Sequence, residues 1–125
     1  HADHLNLLEL LCAPIALALN DRFAAQGRFA AATGDMYAFD YRAQAFDWVV
    51  NTSCEHIADL RGWLDLLPEG TRVILQSNDY RREPDHIACV DSVEEFEAQA
   101  RLSSVAFRGE RPTKNYRRFM LIGRR

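Results

Sequence analysis

The chain has 125 residues, 48% hydrophobic and 26% charged, a composition that suits one soluble globular domain with a single core. A formal net charge of -3 argues against a nucleic-acid partner, since phosphate binding needs lysines and arginines gathered on one face. Glu9, Pro14 and Asp47 interrupt the longest apolar runs, so none approaches the roughly 20 residues that span a bilayer, and no membrane partner is expected.

Leu5 to Leu11 is apolar apart from Asn6 and Glu9 and reads as a strand or turn leading into a helix, with Pro14 suited to its first turn. Ile15, Leu19 and Phe23 recur at helical spacing, predicting one amphipathic helix to Gln26 with Gly27 as its stop. Arg28 to Thr33 reads as a short extended run ended by Gly34, though its alanines suit a strand poorly. Phe46 to Thr52, FDWVVNT, is aromatic, β-branched and nearly continuous in its apolar character, which predicts a central strand covered on both faces. Ile57, Leu60, Leu64 and Leu67 then predict a helix, the Pro68-Glu69-Gly70 turn follows, and Thr71 to Gln76 is a second buried strand.

After a loop containing Asp79 and His86, Ser92 stands three residues before Glu95, the spacing of a capping box, and the helix it opens is expected to run to about Leu102. Ser103 to Arg108 and Tyr116 to Gly123 read as an antiparallel closing pair around a polar loop with Gly109 and Pro112. Arg117, Arg118, Arg124 and Arg125 are expected to guard a sheet edge there. Helices alternating with strands predict a largely parallel sheet with right-handed crossovers and helices on both faces, in one domain spanning residues 1–125. Cys12, Cys54 and Cys89 are an odd number at no disulfide-framework spacing, with no secretory signal seen before them, and point to a reducing cytoplasm.

Ligands of such sheets bind beyond the carboxyl ends of the strands, so the polar residues there carry the functional reading. Gly34, Asp35 and Met36 form one cluster: a carboxylate after a glycine accepts from an exocyclic amine, but Gly-Asp is also ordinary turn chemistry. Asn51, Thr52, Ser53, Cys54, Glu55 and His56 form a second, offering ligand groups to a crevice while Thr52 or Ser53 caps the next helix and Glu55 sits in its first turn. His56 has the ordinary pKa range of a general base and equally suits a structural role. Gln76 to Tyr80, with Asn78, either lines the substrate side or forms an Asx turn. Cys54, His56, His86 and Cys89 supply two thiols and two imidazoles, a ligand set for tetrahedral zinc, but at spacings unlike the common zinc signatures. The cysteines are therefore read as small, partly buried residues and no metal site is expected.

Gly34-Asp35-Met36-Tyr37 followed by Phe46-Asp47-Trp48-Val49-Val50 and Glu55-His56-Ile57 resembles the class I S-adenosylmethionine-dependent methyltransferases that act on small molecules. The likeness continues through Leu67-Pro68 and Gly70 and ends in Tyr116 to Gly123 as a closing strand. It implies a three-layer Rossmann-like α/β fold, a mostly parallel sheet with an antiparallel C-terminal strand pair. It also implies that Asp35 contacts the adenine amine, with the backbone N–H of Met36 near the ring and Glu9 on the ribose hydroxyls. Asn51, Thr52 and Ser53 would lie by the methionine part and the transferred methyl group, with His56 and Asn78 facing the methyl acceptor. The family pattern opens with a strand and a glycine-rich turn, whereas Gly27 and Gly34 are the only glycines before Asp35. The resemblance thus implies a domain truncated at its N-terminus, with little or no cofactor binding alone and a sheet to be closed by a homodimer or a completing chain. The expected activity is methyl transfer to a small molecule once completed; the alternative is a non-catalytic module that dimerises through its open sheet.

Overall fold

A computed structural model describes residues 12–125, in two compact units that divide between Phe39 and Asp40. The expected opening strand, and Glu9 with it, lies outside the described residues. In the first unit residues 12–19 are helical (α1) and Asp21–Ala25 form a second short helix (α2). The single helix expected here is broken at Asn20, whose side-chain amide donates to the Ala16 carbonyl at 2.9 Å, the local competition with helical bonding that asparagine offers. Gly27 does stop the helix. Its φ of 68° lets its own N–H reach the Ala24 carbonyl and the N–H of Arg28 reach Phe23, the paired bonds of a Schellman end. The extended run expected at Arg28 to Thr33 forms no ladder among the described residues, because alanines bring little cross-strand packing to repay pairing.

The second unit opens with α3 (Tyr41–Gln44), whose first N–H groups are held by the Asp40 side chain. Then come β1 (Trp48–Asn51), a 3₁₀ turn at Cys54–His56, α4 (Leu60–Leu64), β2 (Arg72–Asn78), α5 (Val93–Ala100), β3 (Ser104–Pro112) and β4 (Arg117–Arg124). The sheet order is β1-β2-β4-β3, with β1 parallel to β2 and the other two ladders antiparallel. This mixed sheet corrects the expectation of a mostly parallel one: only one of its ladders is parallel among the described residues. It also moves β1 from the expected centre to an edge. Trp48 and Val50 are 44% and 57% exposed, since no described strand lies beyond them.

The core lies on one face of this sheet. Val73, Leu75 and Ser77 of β2 alternate inward with Phe119 and Leu121 of β4, and Leu60, Trp63, Leu64, Leu67, Phe96 and Ala100 close over them. The expected helical positions Ile57, Leu60, Leu64 and Leu67 are all buried, although only Leu60–Leu64 of that stretch is regular helix. Gly70, at φ 78°, takes the left-handed position of the turn that the Thr71 N–H closes onto Pro68, and so delivers the chain to β2. The Ser92 half of the capping box forms at α5, its Oγ accepting from the Glu95 N–H at 3.1 Å, while the Glu95 carboxylate takes the N–H of Asp91, one residue before the cap. Arg101 adopts a left-handed φ of 47° and ends α5 ahead of the expected Leu102, and the Arg61 guanidinium holds the carbonyls of Ala100 and Arg101.

The terminal arginines do not guard an edge, because β4 lies inside the sheet. Arg117 is bonded to Asp79, Arg124 to the Gly70 carbonyl, and Arg125 to Leu64 and Asp65. These charged side chains meet carbonyls and carboxylates of the adjoining turns, and Arg118 meets Gln76, while Arg118 and Arg124 stay exposed to solvent. Among the described residues no helix is long and apolar enough to cross a membrane.

Candidate functional site

The parallel pairing of β1 and β2 brings their carboxyl ends to one rim, with Asn51 in register with Leu75. Each strand ends there in a side-chain turn. The Asn51 Oδ1 accepts from the Ser53 N–H at 2.9 Å, and the Asn78 Oδ1 accepts from the Tyr80 N–H at the same distance. Thr52 and Ser53 are exposed, and Ser53 provides no side-chain cap to the 3₁₀ turn that follows, Asn51 having taken up its N–H instead. Asn78 is 5% exposed and carries a structural load as well, since its carbonyl accepts from Val90 and its Oδ1 lies 3.7 Å from the Cys89 Sγ.

The loop after β2 folds back over this rim. The Ala88 N–H donates to the Glu55 carbonyl at 2.8 Å, which fixes the loop to the 3₁₀ turn and lays His86 edge-on against His56, ring centroids 4.7 Å apart at 88°. Tyr80 packs against His86 on one side and Tyr116 on the other. The Nδ1 of His86 sits 2.5 Å from the Tyr80 carbonyl; a carbonyl only accepts, so this nitrogen carries the proton and the Nε2 lone pair faces outward from the bond. Glu55, expected in the first turn of a helix, lies in the 3₁₀ turn and is 5% exposed, with one carboxylate oxygen 3.7 Å from the His56 Nε2. Burial of Glu55 follows from the loop crossing above it.

Three further groups at the rim have defined electrostatics. Burial pushes the Cys54 thiol up to about 12, against the lowering effect of a backbone hydrogen bond at Gln76 and with a smaller push from Glu55. Cys89 is likewise raised, chiefly by burial. For Asp79 burial raises the carboxyl, but the backbone and guanidinium N–H groups of Arg117, at 2.7 and 2.9 Å, outweigh it and hold the group below the usual carboxylate range. Both thiols turn to local acceptors, Cys54 to the Asn51 carbonyl and Cys89 to the Asn78 side chain.

Asn51, Thr52, Ser53, His56 and Asn78 thus share one rim. Gly34, Asp35 and Met36 lie in the first unit, where Asp35 Oδ1 accepts from the Tyr37 N–H at 2.8 Å in a third such turn. Gly34 does not need glycine's freedom there, since an added Cβ would meet nothing within 4 Å and its φ is not left-handed. Glu55, Tyr80 and His86 were each named in the sequence, Glu55 and Tyr80 at the strand ends and His86 among the zinc candidates, but the grouping of Glu55 with His56 and His86 was not foreseen. The signal for that grouping was a Glu-His pair after a strand together with a histidine in the next long loop.

No family model and no curated protein matches the chain. Among solved structures it is similar to the N-methyltransferase NodS from Bradyrhizobium japonicum WM9, at 14% identity and a TM-score of 0.55, over 82% of this chain and 64% of that one. The likeness shows an α/β fold of methyltransferase type. The chain spans less than two thirds of the length of NodS. In folds of this kind the strand ends are where ligands are met, which is the rim just described.

Proposed function

We propose that the chain is an S-adenosylmethionine-dependent methyltransferase-like domain that holds a small-molecule methyl acceptor where β1 and β2 end. The reading is carried by one observation: on a sheet of methyltransferase type, the parallel strand pair ends in a polar rim of Asn51, Thr52, Ser53, His56 and Asn78. The cofactor would supply an already activated sulfonium methyl, so the protein's work is to bind and orient. The residues present suit parts of it. Asp35 is exposed and uses one oxygen in its turn, and a carboxylate has further acceptor capacity for the adenine amine, beside the half-buried Met36. Thr52 and Ser53 offer exposed hydroxyls to the methionine part, next to Asn51. His56, 41% exposed, would take a proton from an acceptor hydroxyl or amine, and Asn78 would meet that acceptor through its amide, its Oδ1 being used in the turn.

None of the six glycines stands in a Gly-x-Gly spacing, so backbone cradling of the cofactor is poorly provided and binding by this chain alone is weak. With millimolar S-adenosylmethionine, amide chemical shifts should move at Asp35, Met36 and Asn51 to Ser53, and Asp35→Ala should abolish the movement at its neighbours. Silence at all of these amides ends the cofactor reading. Micromolar affinity by calorimetry would overturn its weakness.

A second reading is favoured by a separate feature. Trp48 and Val50 on β1 and Phe107 on β3 share the face of the sheet opposite the core by register, and all three are exposed. An apolar face on an edge strand suits self-association, with a second copy or a completing chain closing the sheet.

A further inference from the structure

We propose that Glu55, His56 and His86 form a binding site for a first-row divalent transition ion, of which zinc is the type, with a coordination position left open to solvent or substrate. One ligand atom from each of these residues lies within 4.8 Å of the others, although they come from the 3₁₀ turn after β1 and the loop after β2. The Glu55 side chain is 7% exposed, and its Oε2 has no hydrogen-bond partner. A buried carboxylate oxygen without a donor is costly, and a cation offsets that cost directly. His86 is prepared as a ligand: its Nδ1–H is held by the Tyr80 carbonyl, the usual outer-shell bond of a metal-bound histidine, which sets the tautomer and leaves Nε2 to coordinate. His56 presents Nε2 toward the Glu55 carboxylate.

Two imidazoles and one carboxylate favour zinc and its neighbours over magnesium or calcium, which take oxygen ligands. The same set of three, with a fourth position free, is the pattern of open zinc sites rather than closed structural ones. Zinc–ligand bonds of about 2.0–2.2 Å require ligand atoms closer together than these. His56, 41% exposed, has room to swing in, while Glu55 and His86 are already fixed. The inference stands apart from the cofactor reading, because the ion alone is its probe.

The test uses the full chain, stripped with chelator, in a His1→Ala, His4→Ala background that removes the two other histidines. Zinc is titrated against a chromophoric chelator, and cobalt(II) is followed by its visible absorption. Stoichiometric binding is expected, with cobalt bands of a four- or five-coordinate nitrogen and oxygen site and a zinc-dependent rise in melting temperature. His56→Ala and His86→Ala should each weaken binding by at least about tenfold, on the scale lost when even supporting residues of a metal site are removed. Glu55→Gln should do the same while the metal-free protein melts no lower than the parent. Affinity unchanged in both histidine variants, or no stoichiometric binding by the parent, overturns the proposal. His56→Ala, at an exposed position, keeps the result readable if the other variants fold poorly.

Discussion

Cys54 shows how one residue's burial sets its chemistry. Its thiol, held up at about 12 chiefly by burial, is almost wholly protonated at pH 8, and only the thiolate is nucleophilic. Cys89 is buried and raised in the same direction, whereas Cys12 is exposed on α1. Brief alkylation with iodoacetamide at pH 8 should therefore modify Cys12 alone of the three free cysteines in the native chain, and all of them after denaturation, as read by peptide mass spectrometry. Labelling of native Cys54 at the pace of Cys12 would refute this account of its environment. The small, buried character of Cys54 and Cys89 was legible in their type and isolation. That of Glu55 was not, because a carboxylate after Ser53 has the pattern of a solvated helix start, and only the return of the loop through Ala88 encloses it.

Between elements, Asp79 ties the end of β2 to the start of β4 through the backbone and guanidinium N–H groups of Arg117. The folded-state carboxyl is depressed below its ordinary value, so the ionised form is favoured in the native state. That stabilisation is fully present above the unfolded pKa and is lost as pH falls through the folded one. At pH 7 Asp79→Asn should cost about 1.5–3 kcal/mol, the range for hydrogen bonds to a charged group. The difference from the parent should narrow below about pH 4, in urea titrations at neutral and acid pH. A gap that stays constant down to pH 2 would assign the effect to packing. Elements with a complete local signature were readable in advance: α5 from its Ser92 cap, β2 from its apolar run, the β3–β4 pairing from two successive extended runs, although Gly109 and Pro112, expected in the loop, lie in β3 opposite Met120 and Arg117 and the turn is only residues 113–116. The location of β1 was not, since FDWVVNT is equally apolar at a centre or an edge. Which it becomes depends on whether another strand pairs beyond it, and the alanines after Arg28 do not supply one.

For the molecule as a whole, the uneven clothing of the sheet has a thermodynamic consequence. One face of β2 and β4 buries Val73, Leu75, Phe119 and Leu121, and the opposite face leaves Trp48 44%, Val50 57% and Phe107 48% exposed. Full burial of such a side chain is worth about 1.5–3 kcal/mol, so a second copy laid on this face, or paired along β1, gains the roughly half of it that the folded monomer leaves unused. Sedimentation equilibrium should accordingly show a concentration-dependent dimer. Val50→Lys places a charge on the exposed edge strand, where lysine opposes strand addition, and should shift the chain to monomer. Because Val50 is more than half exposed, the same change should alter the stability of the folded chain by no more than about 0.5 kcal/mol, the usual range for surface substitutions. A parent that stays monomeric across the accessible concentrations refutes self-association. Loss of the dimer together with a large fall in stability would instead make Val50 part of the folding core, and the open face would cease to be an explanation.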